Sequence, residues 1–380
     1  MRLLSALRHG ASGSGVIRSE WGVLLRRALG LCFLATICCA DRSGTGTGVP
    51  PLVGKTHAPP RAEPAGSLAS SAAAPPDAPI DPRVAAATAT LDRKQFERDL
   101  RFLAKPRHHT AAPGHLRDAA RHIEAELGRA GLRTQRQEVV FDGARADNII
   151  ADGPGKDPDQ VVIVCAHYDA VVGSPGADDN ASGVAAVLAV ARALAPIETR
   201  ASLRAVAFAF EEQGLVGSRR YVASLDKAER ARVAGVFNIE MIGYATRKQG
   251  SQRYPEGLEA VFPPGRFPTT GDFIGAIGKL GDGGLSASLE DARAYVPALR
   301  VETVAIPGFA LALAPDLLRS DHAPFWLAGI PAVMIGDTAD FRSPHYHQAS
   351  DKVETLDLGF ADAVVRWLNA AVLLRLEPSR

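Results

Sequence analysis

The sequence predicts a three-layer α/β/α sandwich with a mostly parallel central sheet, and three observations carry that prediction. Four largely apolar stretches of strand length occur, Val161–Cys165, Leu203–Phe210, Val236–Ile239 and Ala332–Ile335, of which Val161–Cys165 is a continuous apolar run while Arg204 and Asn238 interrupt the second and third. An unbroken run such as Val161–Cys165 belongs to a strand covered on both faces. Helical stretches separate them, and strands alternating with helices build a parallel-centred sheet with helices on each side. Each run is followed closely by a group of polar residues. In open α/β sheets, ligand sites form beyond the carboxyl ends of the strands, so these groups are placed to converge.

The elements follow in chain order. Residues 1–40 read as an export signal, with Arg18, Arg26 and Arg27 ahead of the uncharged run Ala28–Ala40. That run falls short of the ~20 apolar residues a membrane span needs, so the expected mature chain has no span and a secreted or cell-envelope location. Cys38 and Cys39 could take a lipid anchor, but Thr36 and Ile37 before them suit it poorly, so plain cleavage is expected. Residues 41–90 hold nine of the 26 prolines and no hydrophobic period. They read as a disordered linker, since such a composition cannot bury enough apolar surface to offset ordering.

A single enzymatic domain is expected over 91–380. Leu116, Ala120, Ile123 and Leu127 are spaced as a helix that stops at Gly131. Thr134–Phe141 reads as a strand, Gly183–Leu194 and Val216–Leu225 as helices, and Phe360–Leu374 as a closing helix. Residues 244–318 are rich in Gly and Pro and read as an insertion over the site. Of the four cysteines only Cys165 falls in this domain, so no disulfide framework is expected. The formal net charge is +1 and no basic stripe is interleaved with aromatics, which argues against a nucleic-acid partner.

The polar groups have the composition of a metal centre. They are His167-Tyr168-Asp169, the stretch Gly176–Gly183, Glu211-Glu212, Glu240 and His345-Tyr346-His347. Zinc takes imidazole nitrogen and carboxylate oxygen and leaves a position for water in catalytic sites. A carboxylate shared between two His/acid sets is the simplest way to hold two such ions. Asp169, two residues from His167, is placed to orient the imidazole. Glu211 and Glu212 are adjacent and point differently, so one can bind metal while the other faces its water.

These motifs, in this order, resemble the co-catalytic dizinc exopeptidases that include aminopeptidase Y, bacterial leucyl aminopeptidases and glutamate carboxypeptidase, with glutaminyl cyclase as a divergent branch. The resemblance rests on His167-Tyr168-Asp169, Asp179-Asn180-Ala181-Ser182-Gly183, Phe210-Glu211-Glu212, Asn238–Gly243 and Tyr346–Asp351. It implies two zinc ions per chain. By it, His167 and Glu240 bind the first metal, Glu212 and His347 bind the second, and Asp179 bridges them. It further implies Glu211 as general base, Asp169 as support for His167, and Tyr346 as a donor to the oxyanion. Glu240 stands where many members have Asp. The implied reaction is exopeptidase hydrolysis of a peptide substrate, from the N-terminus.

Two rival readings are a glutaminyl-cyclase-like acyltransferase and an inactive binding protein on the same fold. His108 and His109 read as surface or structural histidines, Asp178 as a loop residue, Arg219 and Arg220 as a solvated helix face, and His322 as site wall. Neither the preferred substrate residue nor the oligomeric state follows from the sequence.

Overall fold

A computed structural model describes residues 79–379, apart from 259–261 and 264. The expected export signal and most of the expected linker, residues 1–78, lie outside the described residues. Eight strands form one sheet: β1 (Arg133–Phe141), β2 (Ala144–Asp152), β3 (Asp157–His167), β4 (Ala201–Phe208), β5 (Val233–Glu240), β6 (Ile274–Lys279), β7 (Val301–Ile306) and β8 (Ala332–Gly336). Their order is β1-β2-β4-β3-β5-β8-β6-β7. The central four, β4-β3-β5-β8, are mutually parallel. The β1–β2 hairpin and the β6–β8 junction are antiparallel. The mostly parallel centre is thus as the sequence predicts, with reversed strands towards both edges.

The strand sequences explain the layering. Along β3, Val162 and Val164 enter one core, while Val161, Ile163 and Cys165 enter the other. A strand turns alternate side chains to opposite faces, so an all-apolar run must be covered twice. The main helices are α1 (Pro82–Ala89), α2 (Arg93–Leu103), α3 (Pro113–Arg129), α4 (Gly183–Leu194), α5 (Val216–Ser224), α6 (Lys227–Arg232), α7 (Leu285–Asp291), α8 (His322–Leu327) and α9 (Leu358–Leu376). The first core takes residues from α1 to α4, α7 and α9; the second takes Tyr221 and Val222 of α5 with Phe325 and Trp326 of α8.

Two expectations need correction. Part of the stretch read as linker, residues 82–89, is helix α1. Asp81 caps it by accepting the Arg83 backbone N–H, and Val84 and Ala87 are buried. A Pro at the first helical position and an Asp cap suit a helix start, and packing on α9 supplies the burial that composition alone did not suggest. Residues 244–318 are not one insertion either. β6 and β7 extend the central sheet beyond β8. Among the described residues no helix is long and apolar enough to cross a membrane.

Candidate active site

Parallel register brings three strand ends to one level. His167, the last residue of β3, pairs with Phe208 at the end of β4, and Cys165 pairs with Asn238 two residues before Glu240. Beyond β4 the chain turns through Phe210 (φ 57°) into Glu211-Glu212, and beyond β5 through Met241 (φ 55°). His347 itself has φ 58°. Positive φ in bulky residues is disfavoured and persists where the surroundings impose it.

The loop between β3 and α4 is fixed to the other strand ends. Asn180 donates to the Ile239 carbonyl and accepts the backbone N–H of Met241 and of Gly183. A Cβ on Gly183 would stand 2.2 Å from Asn180 Oδ1, so glycine is required there. The Asp351 carboxylate accepts the backbone N–H groups of Asp178 and Asp179. Asp178 is no idle loop residue: buried, it accepts the Gly243 N–H at 2.7 Å and the Ser182 hydroxyl at 3.0 Å. These contacts leave the Asp179 side chain directed between two histidines.

Two groups result. His167, Glu211 and Glu240 offer ligand atoms within 4.8 Å of one another, and so do Asp179, Glu212 and His347. Asp179 connects them, with Oδ1 3.2 Å from His167 Nε2 and Oδ2 3.1 Å from His347 Nε2. His167 Nε2 is also 3.4 Å from Glu240 Oε1, and His347 Nε2 is 3.2 Å from Glu212 Oε2. All five residues expected as ligands, and Glu211, therefore face one small volume.

The two remaining expected residues behave differently. Asp169 approaches His167 Nδ1 only to 3.6 Å, too long for an ordinary hydrogen bond. Its oxygens accept the backbone N–H groups of Glu211 at 3.1 Å and Glu212 at 3.2 Å, so it fixes the paired glutamates. The Tyr346 ring stacks on His347 with centroids 3.8 Å apart, and its hydroxyl accepts from Arg319 Nη2 at 3.0 Å. Sequence reasoning assigned no role to Asn238, Ser320, Asp351 or Arg107. Asn238 and Ser320 hold Glu240, as described below. Arg107 is buried and donates to the carbonyls of Leu103, Lys105, Tyr168, Pro175 and Gly176, bracing the β3 loop. Asn238 and Asp351 fall inside the quoted motifs, whereas Arg107 carries no local signal. His322 is buried, bonded to the Leu317 carbonyl and packed on Trp326, and belongs to neither ligand group. His109 packs edge-on against Phe141 and Phe210.

Electrostatics show what kind of group the volume suits. Burial pushes the Glu211 carboxyl well above its ordinary range, with Glu240 and Asp321 adding repulsion. Burial and the neighbouring Asp179 push Glu212 up to about 7. Glu212 Oε1 is buried with no hydrogen-bond partner. Like carboxylates at such distances need a cation among them, and Arg107 is committed to backbone carbonyls. A nitrogen-and-carboxylate donor set suits zinc.

The groups open into a cavity of about 440 Å³. One wall is apolar, with Tyr254, Leu258, Phe267, Ile277, Val304 and Ile306. Arg219 is exposed on its helix, as the sequence suggests, and also lines the cavity.

Comparison with known proteins agrees with this geometry. Residues 148–264 and 298–372 match peptidase family M28. YfbL of Escherichia coli, an uncharacterised protein, is 34% identical over 280 residues, covering 70% of this chain and 82% of YfbL. The chain belongs to peptidase family M28. The matched M28 segments contain both ligand groups, and the gap between them spans β6 and α7. Aminopeptidase YwaD of Bacillus subtilis is 32% identical over 243 residues, which cover 61% of this chain but only 46% of YwaD. The aminopeptidase of Aneurinibacillus sp. strain AM-1 shares the fold with a TM-score of 0.60 at 17% identity, covering 78% of this chain and 97% of that one. The M28 chain is accordingly a metallopeptidase-type hydrolase of the α/β/α fold.

Proposed function

We propose that this M28 chain is an aminopeptidase that holds two zinc ions and releases N-terminal residues from peptides, with Glu211 as general base. The observation that carries the reading is Asp179, whose two oxygens face His167 and His347 at nearly equal distance. His167, Glu240 and Asp179 Oδ1 would hold one ion, and Glu212, His347 and Asp179 Oδ2 the other. When bound, the pair would polarise the scissile carbonyl and make water acidic enough to attack near neutral pH.

Glu211 is suited to accept that water's proton. It is buried, Asp169 fixes its backbone N–H, and burial already favours its protonated form. It can then return the proton to the departing amine, as a general base turned acid does. Tyr346 accepts from Arg319, so its own O–H stays free to donate to the carbonyl oxygen as charge develops. The apolar wall suits a non-polar N-terminal side chain. We place the mature protein in the envelope or outside the cell, a reading motivated by the Arg-flanked apolar run of residues 18–40.

The test is incubation with Leu-peptides and Gln-peptides, with products followed by mass. Release of free leucine, abolished by a strong chelator and restored by zinc, is expected. Loss of ammonia from Gln-peptides with Leu-peptides untouched would replace the peptidase by a cyclase. Metal binding with no turnover of either would leave the binding-protein reading.

A further inference from the structure

We propose that Arg219 is the anchor for a carboxylate on the leaving half of the substrate, so that the enzyme favours dipeptides with a free C-terminus. The inference rests on the aminopeptidase reading and deepens it.

Three arginines besides the ligand groups line the cavity: Arg219, Arg253 and Arg319. Arg319 is committed to Asp316, Asp340 and the Tyr346 hydroxyl. Arg253 donates to the Asp340 carbonyl. The Arg219 guanidinium has no ion pair or hydrogen bond among the described residues. A cation that faces a substrate cavity without an internal partner is available to a substrate anion.

Its place in the fold says which part of the substrate it meets. Sheet order is β4-β3-β5-β8-β6-β7. The ligand groups lie beyond β4, β3 and β5. Ile277 of β6 and Val304 and Ile306 of β7 place the apolar wall on one side of them. Arg219 stands towards the other end of the sheet, on α5, which follows β4 and packs against β1, β2 and α8. A peptide whose first side chain lies on the apolar wall, and whose scissile carbonyl lies at the ligand groups, directs its leaving half towards Arg219. Backbone bonds keep the arginine close to the reacting residues: Leu215 N–H binds the Glu211 carbonyl at 2.7 Å, and Arg219 N–H binds the Leu215 carbonyl at 2.9 Å. Each link is about one helical turn, ~5.4 Å, a span the long guanidinium arm can recross. In a dipeptide the leaving half is one amino acid, whose carboxylate is the anion within reach. An acidic second residue offers the same chemistry.

The experiment compares kcat/KM for Leu-Gly, Leu-Gly-amide, Leu-Asp-amide and Leu-amide in the wild-type enzyme, Arg219→Gln, Arg219→Lys and Arg220→Ala. Wild type should prefer Leu-Gly over Leu-Gly-amide by about tenfold, the scale of one charge-assisted hydrogen bond. Arg219→Gln should bring that ratio to about one, chiefly through KM, and Arg219→Lys should keep part of it. Arg220→Ala, on the neighbouring exposed position, should leave the ratio as in wild type. Preference for Leu-Asp-amide instead of Leu-Gly would still support the anchor and assign the carboxylate to a side chain. A wild-type enzyme that favours neither Leu-Gly nor Leu-Asp-amide over Leu-Gly-amide, or a preference that persists unchanged in Arg219→Gln, would overturn the inference. Leu-amide hydrolysis monitors the underlying reading: no turnover of any of the four substrates would remove the aminopeptidase and this anchor with it.

Discussion

The Ser320 hydroxyl donates a hydrogen bond to Glu240, with Oγ 2.6 Å from Oε2. The same Oγ accepts the Asn238 side-chain amide at 2.8 Å, so its orientation is fixed from behind. One carboxylate oxygen is tied, and Oε1 is left turned to His167. This shows how an arm one methylene longer than aspartate is kept in place.

Glu240→Ala should therefore weaken one zinc while the other, on Glu212 and His347, stays. Glu240→Asp draws the carboxylate back from Ser320 and should be milder. Ser320→Ala should lower affinity for the same ion by roughly 10–100-fold, as loss of a group that orients a ligand does. Competition with a chromogenic chelator and elemental analysis report these effects. A Glu240→Ala protein that keeps two zincs at wild-type affinity would take Glu240 out of the ligand set.

Glu211→Gln keeps the size of the side chain and the backbone bond to Asp169 but cannot take a proton. Turnover should fall by roughly 10²–10⁴-fold or more, with bound zinc unchanged. Near-normal turnover in this variant would exclude Glu211 as base.

Legibility in the sequence followed local signal strength. The central strands announce themselves because burial on both faces leaves no polar residue in Val161–Cys165. His167, Glu212 and Glu240 follow, since each stands within two residues of the end of such a stretch, while Asp179 and His347 come from loops further on. β2 was missed although Asp142-Gly143, both at positive φ, is a strong hairpin signal; its half-exposed residues hide the period. β6 and β7 were missed because glycines break the first and the second alternates over only six residues. Arg107 and the role of Asp169 were illegible for another reason. Their partners are backbone groups brought close only by the assembled strand ends, and backbone groups leave no mark in a sequence.

A second cluster of acids and histidine, Asp99, His122 and Glu126, lies away from the site and already has its cation. Arg192 pairs with Asp99 and with Glu126, and His122 lies 2.9 Å from the other Asp99 oxygen. Burial pushes the Asp99 carboxyl up, but the His122 hydrogen bond and the Arg192 charge more than reverse this, leaving it below its ordinary value. Arg192→Met should destabilise the fold by about 3–5 kcal/mol, because it strands a buried charge. Denaturant midpoints measure this. Asp99→Asn in the same chain should recover part of the loss by removing that charge. With its folded pKa depressed, Asp99 contributes stability above the unfolded value of ~3.9, and that contribution fades as pH falls through the folded value. A stability unchanged in Arg192→Met would show the pair to be idle.

His322 offers a pH dependence of a different kind. It is fully buried, its Nε2 lies 2.8 Å from the Leu317 carbonyl, and its ring meets Trp326 edge to face. A carbonyl only accepts, so Nε2 carries the proton, and Nδ1 has no partner to welcome a second one. Burial holds its pKa down to about 4. In the unfolded chain the ordinary value is ~6.5, so on acidification the unfolded chain takes up the proton first. The stability that neutral His322 contributes is complete above ~6.5 and is lost between there and about 4, in total about 3 kcal/mol. His322→Phe cannot titrate. It loses the bond to Leu317 at every pH, so it should start less stable at pH 7 but fall less steeply on the way to pH 4.5. Urea midpoints of both proteins at several pH values give the two slopes. Their difference isolates His322, since the buried carboxylates titrate alike in both chains. Parallel slopes would mean that His322 is reached by protons in the folded state and is not held neutral by its surroundings.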